Sequence, residues 1–147
     1  MNKEVVEKLK DKEFVGKIIN MGTKEEVIKA FSDYNIEVSE KDLEEIGKIF
    51  NAVVSKISTL SDEELESASG GGGYLAKTTD ATSQYIKNLG NVYGSDFMKE
   101  NSEEIADTVV AGTIAGTAAI AGVGIYKMKQ WLKEHKASRW FTVSVVF

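Results

Sequence analysis

Leu60-Ser61-Asp62-Glu63-Glu64-Leu65-Glu66-Ser67-Ala68-Ser69-Gly70-Gly71 lies near the middle of a 147-residue chain, and Gly72 and Gly73 extend its glycine run. An acidic amphipathic turn with apolar anchors runs here straight into glycines. The helical part offers a partner an apolar side to grip. The glycine part, from which nothing projects, can be drawn extended into a narrow slot. A processing protease needs both of these in a substrate. The same glycines also suit a flexible linker between two units. On either reading the chain divides here.

Working upstream, Leu43, Ile46, Ile49, Phe50, Val53, Val54 and Ile57 recur at i, i+3, i+4, i+7 and predict one long amphipathic helix. Ser39-Glu40-Lys41-Asp42 before it has the form of a capping box, as does Thr23-Lys24-Glu25-Glu26 ahead of Val27, Ile28 and Phe31. Asp33-Tyr34-Asn35 breaks the pattern between them. Nearer the start, Val5, Val6, Leu9, Phe14, Val15, Ile18 and Ile19 keep a helical spacing that Gly16 weakens and Met21-Gly22 ends. The front of the chain therefore reads as a small three-helix unit. A third box, Ser61-Asp62-Glu63-Glu64, starts the short helix that meets the glycines. A core of this size is marginal for a unit standing alone, so the front unit is expected to be only partly ordered until a partner binds.

Residues 3 to about 50 resemble the Nif11-like leader domain of ribosomally made peptide precursors. The resemblance is carried by Phe14-Val15-Gly16-Lys17-Ile18-Ile19, Thr23-Lys24-Glu25-Glu26-Val27-Ile28 and Tyr34-Asn35-Ile36-Glu37-Val38-Ser39-Glu40-Lys41-Asp42-Leu43, in that order. Residues 60–71 are similar to the double-glycine leader pattern L-S-x-x-E-L-x-x-I-x-G-G. Leu60, Ser61, Glu64, Leu65, Gly70 and Gly71 match it, and Ala68 stands where a larger aliphatic is usual. A frame ending at Gly73 would put Asp62, Glu66 and Ser67 where leucine, glutamate and leucine belong. The resemblance thus implies a cut after Gly71, with Gly72 opening the product.

Leaders of this kind are cut by a papain-like cysteine protease domain fused to an ABC exporter, and the resemblance implies that partner here. The catalytic cysteine belongs to the protease. Leu60, Leu65 and Ala68, with Glu64 and with Ile57 extending the stripe, are the expected recognition residues, held in the helix-in-groove manner. Gly70 and Gly71 would fill the narrow subsites. Ala68 offers less apolar area than Val or Ile and would weaken docking by ~1–2 kcal/mol. The product would be made in a bacterial cytoplasm and secreted once its leader is removed.

Downstream the chain changes character. Gly72 to Asn101 is polar, with apolar pairs that suggest one or two short helices broken at Gly90 and Gly94. Ser102-Glu103-Glu104 caps another helix. From Thr108 to Tyr126 there is no charge for 19 residues, a run that as a helix would be ~28 Å long, close to a bilayer core. Gly112 and Gly116 form a G-x-x-x-G, Ala115 and Ala119 continue it, and Ala118 and Gly122 repeat it one face over. Such ridges let helices approach closely in lipid. Lys127, Lys129, Lys133, Lys136 and Arg139 follow, interleaved with Trp131 and Trp140, which suits an anionic headgroup region. Burial in a helical bundle competes with membrane contact for this segment. For the alternating tail, residues 140–147, a strand, a membrane-surface segment or a sticky end all fit.

Composition excludes several activities. The chain has no Cys or Pro, 13 Gly and one His, His135, at a net charge of -5. There is thus no disulfide, no thiolate or two-histidine metal site, and no catalytic dyad with histidine in a recognisable motif. The glycine run lacks the Lys-Ser/Thr of a phosphate loop. Residues 1–71 hold 10 Lys against 16 Asp and Glu, while residues 72–147 hold 8 Lys and Arg against 7. An acidic front half argues against nucleic acid, which is held through basic groups. Met1-Asn2-Lys3-Glu4 leads into an amphipathic stretch, so no general secretory signal is expected.

The sequence therefore reads as all-α. Residues 1–71 form a helical leader with a double-glycine end, and residues 72–147 form a cargo with one long Gly/Ala-rich helix, bacteriocin-like and membrane-active. No catalytic residue, metal or cofactor is expected. The alternative is a membrane-anchored or soluble helical interaction protein with Gly70–Gly73 as a plain linker.

Overall fold

A computed structural model describes residues 2–58, 74–121, 134 and 139–141. All regular structure among these residues is helical: α1 (Lys3–Lys8), α2 (Lys12–Ile18), α3 (Lys24–Ser32), α4 (Glu40–Ser58), α5 (Tyr74–Tyr93), α6 (Asp96–Glu100) and α7 (Ser102–Ala121).

The first apolar series is two helices rather than one. The break falls at Leu9–Asp11, where the Asp11 carboxylate accepts hydrogen bonds from the backbone of Glu13 and Phe14 and caps α2. A cap satisfies amide groups that would otherwise lack partners, and here it falls where the apolar pattern slips by five residues from Leu9 to Phe14. Gly16, read as the weak point, sits buried inside α2. Of the three boxes, that at Ser61 lies outside the described residues, that at Ser39 forms in both directions and that at Thr23 in one. Thr23 accepts from the Glu26 backbone at 3.2 Å. Ser39 and Asp42 exchange bonds in both directions, at 3.0 and 3.1 Å. Asn35 turns the chain between α3 and α4 with φ 59°, a left-handed conformation that asparagine tolerates better than most residues.

In the back half, α5 runs through Gly90 without a break. A β-carbon there would lie 2.6 Å from Lys99 Cγ and 3.0 Å from the Ser95 carbonyl oxygen, because α6 folds back over it. The helix stops instead at Gly94, whose φ of +67° is easily adopted only by glycine. Ser95 then caps α6. Ser102 does not act as a cap. It is the first residue of α7, and its hydroxyl accepts a bond from Ser83 of α5 at 3.3 Å.

One apolar core runs through both halves. Leu43, Ile46, Ile49, Phe50, Val53, Val54 and Ile57 form the buried stripe of α4. Ile86 and Leu89 of α5 and Ile105, Ala106, Val109, Val110 and Ile114 of α7 belong to the same cluster as Val5, Val6, Leu9 and Phe14. Helix α7 lies between α2 and α5, and α5 also touches α4. Each large aliphatic hidden in this way contributes about 1.5–3 kcal/mol. The helix seen at Ser102–Ala121 is two-faced at its start, with Glu103, Glu104 and Asp107 exposed opposite Ile105, Ala106 and Val109. Among the described residues no helix is long and apolar enough to cross a membrane.

Candidate functional site: the double-glycine stretch and a glycine seam

The residues expected to be read by a protease divide between core and undescribed chain. Ile57 lies in the last turn of α4 and is fully buried with Val53 and Val54, so its side chain serves the core. Leu60, Glu64, Leu65, Ala68, Gly70, Gly71 and Gly72 lie outside the described residues. His135 and Trp131 lie outside them too.

Where the structure does bring unusual residues together is between α2 and α7. Gly16 meets Gly116 backbone to backbone at a crossing where Gly112 receives the Val15 side chain. A β-carbon on Gly116 would lie 2.6 Å from both the α-carbon and the carbonyl oxygen of Gly16. One on Gly16 would lie 3.0 Å from the Gly112 carbonyl oxygen, and one on Gly112 would lie 2.9 Å from the Lys12 carbonyl oxygen. The G-x-x-x-G read from the sequence as a ridge for lipid is thus occupied by the protein's own second helix. The ridge extends less far than its spacing suggests, since Ala115 is exposed.

Both ends of α2 are tied to the back half. At the start, the Lys10 ammonium donates to Asn101 at 2.7 Å and to Glu7 at 2.9 Å, and it pairs with Glu104 at 3.2 Å. The bond to Glu7, supported by Glu104, holds its pKa above the ordinary lysine value. The Thr108 hydroxyl donates to the Lys10 carbonyl at 3.4 Å. At the finish, the Trp140 ring N–H donates to the Ile18 carbonyl at 2.7 Å, and its backbone N–H donates to the Met21 carbonyl at 3.0 Å. Carbonyls at a helix C-terminus have no partner within the helix, and Trp140 supplies one from more than a hundred residues away. Its ring is buried and meets Phe50 edge to face at 5.9 Å, while Phe141 meets Phe50 at 5.7 Å. Trp140, read from the sequence beside lysines as a headgroup residue, therefore sits in the core. Arg139 beside it is also largely buried, and desolvation lowers its pKa to about 10.

An open cleft of about 600 Å³ lies over α4, with Trp140 and Phe141 in its wall and Lys24, Lys41, Lys48, Glu40 and Glu44 around it. Its charges largely answer one another. Lys24 reaches Glu40 at 3.6 Å, and Lys48 reaches Glu44 at 3.4 Å and the Tyr93 hydroxyl at 2.8 Å. Among the described residues no three acidic or histidine side chains converge as metal ligands.

Sequence reasoning missed the pairing of Gly16 with Gly112 and Gly116. The signal was present: a glycine at an apolar position of a short helix, and a glycine ridge elsewhere, each lacking the small-residue partner that the other supplies. It also missed Glu45, a carboxylate wholly inside the core and set between the apolar Leu43 and Ile46. Burial pushes its pKa up, with the nearby Asp42 charge adding to the rise, while the chain's amino terminus and Lys41 pull it down. Comparison of the chain with protein-family models, with curated proteins and with solved structures finds no match.

Proposed function

We propose that the chain is a precursor polypeptide whose residues 1–71 serve as an export leader and whose residues 72–147 are the product. A peptidase-containing ABC transporter would cut the Gly71–Gly72 bond. The observation that carries this reading is the run Leu60-Ser61-x-x-Glu64-Leu65 ending in Gly70-Gly71. It is supported by the helical unit ahead of it, whose capping boxes form at Thr23 and Ser39. Leu60, Leu65 and Ala68 would occupy apolar pockets of the protease, and Gly70 and Gly71 its narrow subsites. The product would act on a lipid surface, through the uncharged stretch 108–126 and the basic residues that follow it.

Incubation with a double-glycine peptidase tests the reading. A product beginning at Gly72, lost in Gly71→Trp and slowed in Leu65→Ala, is the expected result. An intact chain, or a cut indifferent to both substitutions, ends the proposal. Dye release from anionic vesicles by residues 72–147, and not by the full chain, is the companion expectation for the product.

A second reading is favoured by one observation, the backbone contact of Gly16 with Gly116 across the two halves. In it the chain works uncut, as a helical interaction protein with residues 70–73 as a linker. The mass of the protein recovered from cells that make it separates the two: 16.1 kDa for the uncut chain, or a fragment opening at Gly72.

A further inference from the structure

We infer that the front half is a clamp for the glycine face of α7, and that this hold outlasts cleavage of the chain between α4 and α5. On the precursor reading, severing the chain would then leave a two-piece complex, and release would need a separate step that pulls α7 off α2. The hold itself rests on the contacts between the halves and not on that reading.

Three independent contacts argue for it. The crossing of Gly16 with Gly112 and Gly116 brings two backbones together at a distance that any β-carbon would prevent. Close backbone approach gathers many dispersion contacts over a short length of helix, each small and large only in sum. Trp140 bonds to the last carbonyl of α2 at 2.7 Å and to that of Met21 in the following loop at 3.0 Å, while its ring is packed in the shared core. Lys10 bonds to Asn101 at the other end. None of these contacts involves residues 59–73, so cutting there removes none of them.

The clamp also defines what it accepts. A helix of seven residues is too short to be stable in water by itself, so α2 keeps its shape through what it packs against. The chemistry it fits is a helix with glycine at i and i+4 on one face and a large aliphatic on either side. In this chain Val109 and Ile114 accompany Gly112 and Gly116. The partner is therefore the back half of the same chain, and the contact is intramolecular before the cut and intermolecular after it.

The test uses the full chain with residues 61–66 replaced by the six-residue recognition sequence of a site-specific protease. This makes it independent of any double-glycine peptidase. After complete cutting, judged on a denaturing gel, the native mixture is run on size exclusion at about ten micromolar. The clamp predicts that both fragments elute together at the position of the uncut chain. Two separate peaks would overturn it, and would leave the reading of the Gly71–Gly72 bond untouched. Gly116→Leu, cut in the same way, is expected to fall apart where the parent does not. Should that chain fail to fold before cutting, Trp140→Phe carries the comparison, with an expected loss of affinity between fragments of about tenfold or more. Fragments that stay together equally well in both variants would show that the seam and its tryptophan are not the hold.

Discussion

Three glycines do different work here, and one measurement separates them. At Gly116 an added methyl meets backbone at 2.6 Å, which only a shift of α2 against α7 can relieve. At Gly47 it meets the β-carbon of Phe141 at 3.2 Å, an atom fixed to the backbone that must move by a few tenths of an ångström. At Gly94 there is open space, but φ is +67°. Gly116→Ala is expected to lower stability by about 1–3 kcal/mol through overpacking, set against ~1 kcal/mol of gained helix propensity. Gly94→Ala should cost about 1–2 kcal/mol through backbone strain alone. Gly47→Ala should cost less than either, because the shift it needs is small and ~1 kcal/mol of gained helix propensity offsets it. Urea midpoints for the three, with unchanged slopes, check that order. The sequence showed where these glycines stand but not which are crowded. Crowding depends on what arrives from a hundred residues away, and that is why Gly16 read as a weakness and Gly112 as a lipid ridge.

Two carboxylates give the residue scale a pH signature of opposite signs. The Lys8 ammonium, at 3.0 Å, and the two backbone bonds of the cap hold Asp11 below its ordinary pKa. Its contribution is present above the unfolded value and is lost as pH falls through the folded one. Glu45 is raised by burial. It costs nothing below the unfolded value and destabilises as pH rises toward the folded one. Asp11→Asn should therefore lower stability at pH 7, and by progressively less as pH falls below the ordinary aspartate range. Glu45→Gln should raise it at pH 7, with the gain gone by pH 4. Thermal melts at the two ends of that range show both signs.

At the scale of elements, the capping boxes were legible because they are local. Ser39 and Asp42 are three residues apart, and their mutual bonds at the start of α4 need nothing from the rest of the chain. Ser39→Ala should cost about 1 kcal/mol, seen as a lower urea midpoint with α4 still helical by circular dichroism. The helix stop at Asp11 was not read, although Leu9 and Phe14, five residues apart, would stand ~140° apart on a continuous helix. Nor was the continuity of α5. Its break at Gly90 followed from propensity, and packing of α6 over that glycine overrides a penalty of only ~1 kcal/mol. Helix α7 was expected just after Ser102 and begins at that residue, and the sequence leaves its glycine face open between lipid and a helical bundle. A ridge of small residues states how near a neighbour can come without stating which neighbour comes.

At the scale of the whole molecule, the buried cluster joins Phe50 of α4, Val109 of α7 and Trp140 in one contact network. The two halves should therefore unfold together. In a Trp131→Phe chain, Trp140 fluorescence should report the same urea midpoint as far-UV circular dichroism. Two separated midpoints would show that the halves are energetically independent. Phe50→Ala removes the ring on which both Trp140 and Phe141 pack and should cost about 3–5 kcal/mol. The amides of α7 should lose hydrogen-exchange protection with those of α4. The all-helical class was readable from periodicity, whereas the sharing of one core was not, since each half's apolar stripe looks complete when read alone.

The contact of Gly16 with Gly112 and Gly116 bears, finally, on interchangeability. An export address is often imagined as a label that can be moved from one passenger to another. Here the front half has a groove lined by bare backbone at Gly16, shaped to take two glycines one helical turn apart. Joined to a passenger without that pair, it would lose the contact of Val15 with Gly112 and leave the Ile18 carbonyl without its tryptophan. On the proposed precursor reading, address and passenger would have to change together. A drift at position 16 toward any larger residue would have no smaller residue opposite left to compensate it.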